Sequence, residues 1–193
     1  ASDVYKRQSH FPPGYPLFNA GILLFTHSYT ALKIANGILF GLSILILFFL
    51  LKRISGNLFV ALSTCLLCCM QQALLRYSTI VMSEMLFTFL TLGVLYLISL
   101  IDMDHLFYKK RPRSQIIYFI LMIIALNYIY FVRTMGTSII LAIIIYLGIL
   151  CTQKILTFLK SKRKNDEITI QADNKRVLFS HLIILCVVIA SFA

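Results

Sequence analysis

The sequence predicts an all-α, polytopic helical membrane protein of about six apolar spans plus one interfacial or re-entrant N-terminal segment. Three observations predict it. Hydrophobic residues make up 60% of the chain and charged residues 13%, with a mean hydropathy of +0.88. So little polar material cannot clothe a soluble core. Runs of roughly 18 or more apolar residues recur, each long enough to cross a bilayer. Within these runs polar and apolar residues do not alternate, as the strands of a membrane barrel would require.

Taken in order, residues 1–9 read as a non-native lead, because Ala1-Ser2-Asp3-Val4-Tyr5-Lys6-Arg7-Gln8 resembles a translated cloning scar. Three prolines then fall within His10-Phe11-Pro12-Pro13-Gly14-Tyr15-Pro16. They fix φ and remove amide donors, so an irregular, rigid stretch is expected before the first membrane segment. Residues 14–29 are apolar but short, and Asn19, Thr26, His27 and Ser28 interrupt them, which suits a segment that dips in or lies at the interface. Spans are expected at 34–51, 57–75, 85–101, 115–132 and about 134–153. A sixth begins at Val177 and stops at the last residue. The polar stretch 154–176 separates the last two.

The formal charge of +11 needs no nucleic acid to explain it. When loops are assigned alternately to two sides, thirteen Lys and Arg residues collect on one, and only Lys33, Arg76 and Arg133 on the other beyond the lead segment. That asymmetry makes the basic side cytoplasmic. With residues 14–29 not crossing, it places Pro12-Pro13-Gly14-Tyr15, the 76–84 loop and the 133–137 loop together on the extracytoplasmic side. The five cysteines lie inside apolar runs and read as packing residues. Cys65-x-x-Cys68-Cys69 has no second pair of ligands at zinc spacing.

The residues able to carry chemistry are those whose charge is out of place. Glu84 opens an apolar helix after Ser83, where a helix cap and a functional acid are both consistent with its position. As a functional group at the membrane boundary it would ligate a divalent cation or position a polar acceptor. Arg76 and Arg133 end spans on the side with few positive charges. A guanidinium there suits a phosphate, whose oxygens it can engage in pairs, although snorkelling from a helix end also fits. Asn127, Tyr128 and Tyr130 precede Arg133 and suit polar helix packing. Gly-rich phosphate loops, Gly-x-Ser-x-Gly elbows and His-Glu-x-x-His pairs do not occur in the sequence.

The order of these features resembles the GT-C-fold glycosyltransferases that use lipid-linked sugars, in particular the Rgt-like and protein O-mannosyltransferase-like branch. The shared pattern starts with Pro12-Pro13-Gly14-Tyr15-Pro16 and a span ending in Lys52-Arg53-Ile54-Ser55-Gly56. It continues with Ser83-Glu84-Met85-Leu86-Phe87 and closes at Val132-Arg133-Thr134-Met135-Gly136. It runs over about residues 10–136. Residues 10–193 are accordingly expected to be part of a GT-C-like transmembrane domain, truncated at both ends.

The resemblance implies an enzyme that moves a sugar from a polyprenyl-phosphate carrier to a lipid, glycan or protein acceptor outside the bacterial cytoplasmic membrane. It implies substrate contacts at Glu84, Arg133, Arg76, Tyr15 and His10, with Glu84 also the candidate ligand of a divalent metal cation. Relatives commonly carry a basic residue just before the prolines, where this chain has Phe11, with His10 one step earlier. The catalytic acid of the family lies upstream of the Pro-Pro stretch. It is therefore expected before His10, and this chain alone is expected to be inactive. A transporter or flippase of a lipid-linked substrate is the alternative, with the same charges lining a path. A purely structural membrane subunit would leave the Pro-rich stretch without a purpose.

Overall fold

A computed structural model describes residues 12–101 and 113–163, together with Cys186 and Val188. Seven helices make up the described residues: α1 (Gly14–Leu23), α2 (Tyr29–Ser55), α3 (Leu58–Met70), α4 (Gln72–Thr79), α5 (Ser83–Leu100), α6 (Arg113–Val132) and α7 (Gly136–Arg163). No strand occurs among them. Among the described residues four helices are long and apolar enough to cross a membrane: α2, α5, most of α6 and the first part of α7. The chain is therefore a polytopic helical membrane protein, as its composition predicts. Many large apolar side chains face outward, such as Ile38, Leu45, Phe59, Leu67 and Ile124. Lipid is the solvent such a surface suits.

Two expectations need correction. The span expected over 57–75 is two helices, α3 and α4, bent by 63°. The break falls at Gln71, whose backbone is extended (φ −71°, ψ 112°). Gln71 and Gln72 are adjacent amide side chains, and a hydropathy window averages them away. Counting the bent pair as one span gives up to five, and the expected sixth, from Val177, lies outside the described residues save Cys186 and Val188. The second correction concerns the prolines. A regular helix does begin inside the Pro-rich stretch, at Gly14, with Pro13 at its N-cap. Pro16 falls in the first turn, where an amide would have no helical partner to lose. With ten residues, α1 is about 15 Å long, roughly half the hydrocarbon thickness, in keeping with a segment that does not cross.

Local signals set the remaining boundaries. Ser28 caps α2 by accepting from the Thr30 amide. Gly56 ends α2 in the left-handed region (φ 65°), with its amide bonded to the Lys52 carbonyl. Asn57 then caps α3, accepting from the Phe59 amide at 2.9 Å. Two residues thus suffice to reverse the chain between α2 and α3.

The chain forms two compact units. The described residues within 1–99 and 124–136 make the first, and those within 100–123 and 137–193 the second. In the first, one face of α2 (Leu32, Asn36, Leu39, Ser43, Leu50) is buried, at spacings that keep it on a single stripe. Its core cluster joins Leu39 to Met85 and Leu86 of α5 and Val132 of α6, with Tyr15, Phe18, Phe40 and Phe87 packed around it. In the second unit, Phe119 and Met122 of α6 and Ile140, Ile143, Leu147 and Cys151 of α7 are buried. There the Gln115 side-chain amide donates to the Leu100 carbonyl at 3.4 Å.

Candidate functional site

The first unit brings together the three sequence regions that charge asymmetry assigned to one side. Glu84 stands in the first turn of α5, and Arg133 follows the last residue of α6. The Arg133 Nη1 donates to Glu84 Oε1 at 3.1 Å. Each charge suits the helix end it occupies, the acid at an N-terminus and the base at a C-terminus. Each is also the sequence neighbour of a buried anchor: Glu84 of Met85, Arg133 of Val132, both in the core cluster. The pair therefore sits directly on the packed floor of the unit.

The pair is half open. Arg133 keeps 34% and Glu84 28% of the side-chain surface accessible. An ion pair so exposed contributes roughly 0 to 1 kcal/mol to stability, whereas the buried side chains beneath are held by van der Waals packing summed over many contacts. Packing, not the ion pair, holds the geometry. Among the described residues the guanidinium donates to Glu84 alone, through one nitrogen, and its carbon lies 5.9 Å from the Phe87 ring centroid. An arginine has five N–H donors in a planar fork. Glu84 takes one of them.

The Pro-rich stretch is pressed against the end of α6. A Cβ at Gly14 would lie 2.6 Å from the carbonyl carbon and oxygen of Phe131, so only glycine allows this approach. The Tyr128 hydroxyl donates to the Gly14 carbonyl at 3.0 Å and clamps the same contact. On the other side of Arg133 the turn into α7 is equally tight. The Gly136 amide donates to the Arg133 carbonyl at 2.8 Å, and a Cβ at Gly136 would meet Ile129 at 2.8 Å. Two glycines therefore bracket Arg133 and leave its backbone little freedom.

Of the predicted residues, Glu84 and Arg133 meet directly. Tyr15 is nearby, but its ring packs on the core cluster and its hydroxyl accepts from Asn36 at 3.4 Å. Arg76 is exposed on α4, and no contact among the described residues joins it to the pair. His10 lies outside the described residues, as do Lys109 to Pro112, His181 and the acids of the polar stretch. Sequence reasoning missed Asn36, which is 1% exposed and donates to the Ile80 carbonyl at 2.7 Å. An amide inside an apolar run was the signal available for it. It also missed the two glycines, whose role depends on distant backbone.

Among the described residues no three His, Cys, Asp or Glu side chains gather, and a guanidinium already faces the carboxylate.

No curated protein and no solved structure matches the chain. The sequence model described as dolichyl-phosphate-mannose-protein mannosyltransferase matches residues 8–192. With nearly the whole chain matched, the protein belongs to the dolichyl-phosphate-mannose-protein mannosyltransferase family, a family of membrane glycosyltransferases.

Proposed function

We propose that the first unit carries the donor-phosphate side of a glycosyltransferase acting at the extracytoplasmic face of a membrane. The donor is a sugar linked to a polyprenyl phosphate, and the acceptor is a hydroxyl on a protein, glycan or lipid. In the reaction the bond between the anomeric carbon and the phosphate oxygen breaks, and a bond from the acceptor oxygen to that carbon forms. The acceptor proton leaves with a base, and the electron pair of the broken bond stays on the carrier phosphate. Inversion at the anomeric carbon follows from a single displacement.

The observation that carries this reading is the half-open Glu84–Arg133 pair on a rigid floor. Arg133 offers its unused N–H groups to the phosphate oxygens, and its positive charge offsets the charge that grows on the leaving group. Glu84 holds one edge of the guanidinium and so fixes the direction of the other. The Gly14–Tyr128 clamp and the Gly136 turn restrict the backbone that bears Arg133. Arg76, exposed on its short helix, contributes general attraction for phosphate rather than a fixed contact.

The test is sugar transfer in membranes containing the protein extended upstream of His10 to include the expected catalytic acid, with a radiolabelled polyprenyl-phosphate sugar as donor. Arg133→Ala is expected to lower transfer by roughly 10²-fold or more, and Glu84→Gln to abolish most of it while protein levels hold. Unchanged transfer in Glu84→Gln would reduce the residue to a helix cap.

A further inference from the structure

We propose that Asn36 is a positioning residue for the Glu84–Arg133 pair, an inference that rests on the donor-phosphate reading above. Asn36 lies about 10 Å along α2 from its first residue, on the buried stripe. It is one of two buried polar side chains among the described residues, and the other, Ser43, returns its hydroxyl to the carbonyl four residues back in its own helix. Asn36 instead reaches out of its helix in two directions. Its Nδ2 donates to the Ile80 carbonyl at 2.7 Å and to the Tyr15 hydroxyl at 3.4 Å.

The Ile80 carbonyl needs such a partner. It belongs to the non-helical residues 80–82 between α4 and α5, and Ile80 itself is extended (φ −106°, ψ 143°). Irregular backbone near hydrocarbon is tolerated only where protein groups or water satisfy it. Asn36 supplies a donor from a helix that packing holds fixed. Residues 80–82 lead straight into Ser83 and Glu84, so the strut sets where α5 starts and where its carboxylate points. The second arm reaches Tyr15, next to the Gly14 that seats against the backbone before Arg133. One amide therefore joins the segment bearing Glu84 to the segment that backs Arg133.

An amide kept only for stability would be neutral to replacement by an apolar isostere wherever folding survives. A positioning amide would not. The experiment is donor-saturation kinetics on the purified protein extended upstream of His10 to include the expected catalytic acid, normalised to folded molecules by size-exclusion chromatography, for Asn36→Leu, Asn36→Ser, Tyr15→Phe, Glu84→Gln, Arg133→Ala and the combination of Asn36→Leu with Glu84→Gln. Asn36→Leu and Asn36→Ser are expected to raise donor KM by about tenfold, the scale of one buried hydrogen bond, with acceptor KM unchanged. Tyr15→Phe, which removes the longer arm, is expected to change it by about twofold. Glu84→Gln placed on Asn36→Leu is expected to cost less than it does alone, because the pair is already misdirected.

Wild-type donor KM per folded molecule in both Asn36 variants overturns the assignment. So does failure of both to yield folded protein, which makes the amide structural. Unchanged kinetics in Glu84→Gln and Arg133→Ala overturn the donor-phosphate reading itself, and this inference with it. Loss in those two beside normal Asn36 variants overturns this inference alone.

Discussion

The two ends of α5 each meet an arginine from elsewhere in the first unit, and they use it differently. At the C-terminal end, Arg53 Nε donates to the Ser99 carbonyl at 2.8 Å, satisfying a helix-end acceptor. At the N-terminal end, Arg133 meets a side chain, Glu84, and uses one nitrogen to do so. Arg53 has a structural task that its contact completes. Each arginine donates through one nitrogen in these contacts, so the difference lies in the acceptor: Arg133 faces a half-open carboxylate and Arg53 a backbone carbonyl. Arginine at a helix end is therefore not informative by itself; what it donates to decides whether it closes a structure or presents a site.

The sharpest way to break that contrast is to delete each arginine in turn. Arg133→Ala is expected to leave folding intact and remove transfer by the roughly 10²-fold given above. Arg53→Ala is expected to do the reverse. It should cost about 1 kcal/mol of stability, read as a lower melting temperature in detergent, with transfer per folded molecule unchanged. A transfer defect in Arg53→Ala equal to that of Arg133→Ala would erase the distinction between the two ends.

A second comparison concerns the glycines. Gly14→Ala is expected to destabilise by roughly 1 to 3 kcal/mol, since its methyl group would collide with the Phe131 backbone. Gly93→Ala, in α5 with nothing within 4 Å of the added atom, is expected to be neutral or slightly stabilising through helix propensity. Thermal unfolding of the two variants side by side checks this. Equal melting temperatures would deny the close seat of α1 on α6.

A third prediction tests sidedness. In a cysteine-free background, Ser55→Cys and Ser78→Cys are expected to label with an impermeant maleimide from opposite sides of the membrane. Labelling from one side would undo the charge argument. The smallest effect is expected for Arg76→Ala. With no fixed partner among the described residues, it should alter donor kinetics by ~2-fold and mainly at low salt.

Much of the architecture was legible because membrane helices announce themselves locally. The spans around α2, α5, α6 and α7 follow from uninterrupted apolar runs. Their ends follow from short signals such as Lys52-Arg53 with Gly56. Glu84 and Arg133 were legible for a related reason, since a charge at the edge of an apolar run stands out against it. That they touch was not legible, because 49 residues separate them. The same holds for Tyr128 and Gly14, 114 residues apart. Asn36 was visible as an amide in an apolar run, but the carbonyl it satisfies is 44 residues away and exists only because residues 80–82 leave the helix. The break at Gln71 was hidden by averaging, since two glutamines weigh little against the leucines and cysteines of α3. Pro16 is compatible with α1 because a proline in the first turn loses no helical hydrogen bond, and where a helix starts within a Pro-rich stretch is set by contacts distant in sequence.

The most direct test of the central claim, that Glu84 and Arg133 act as one unit on the donor phosphate, is a double-mutant cycle. Donor kcat/KM is measured, in the protein extended upstream of His10 to include the expected catalytic acid, for the unsubstituted sequence, Glu84→Gln, Arg133→Lys and the combination. The account predicts strong non-additivity, with a coupling of about 1 kcal/mol or more and the double variant little worse than the more damaged single one. Effects that simply multiply would contradict it, and would make Glu84 and Arg133 two neighbours that share a contact but no task.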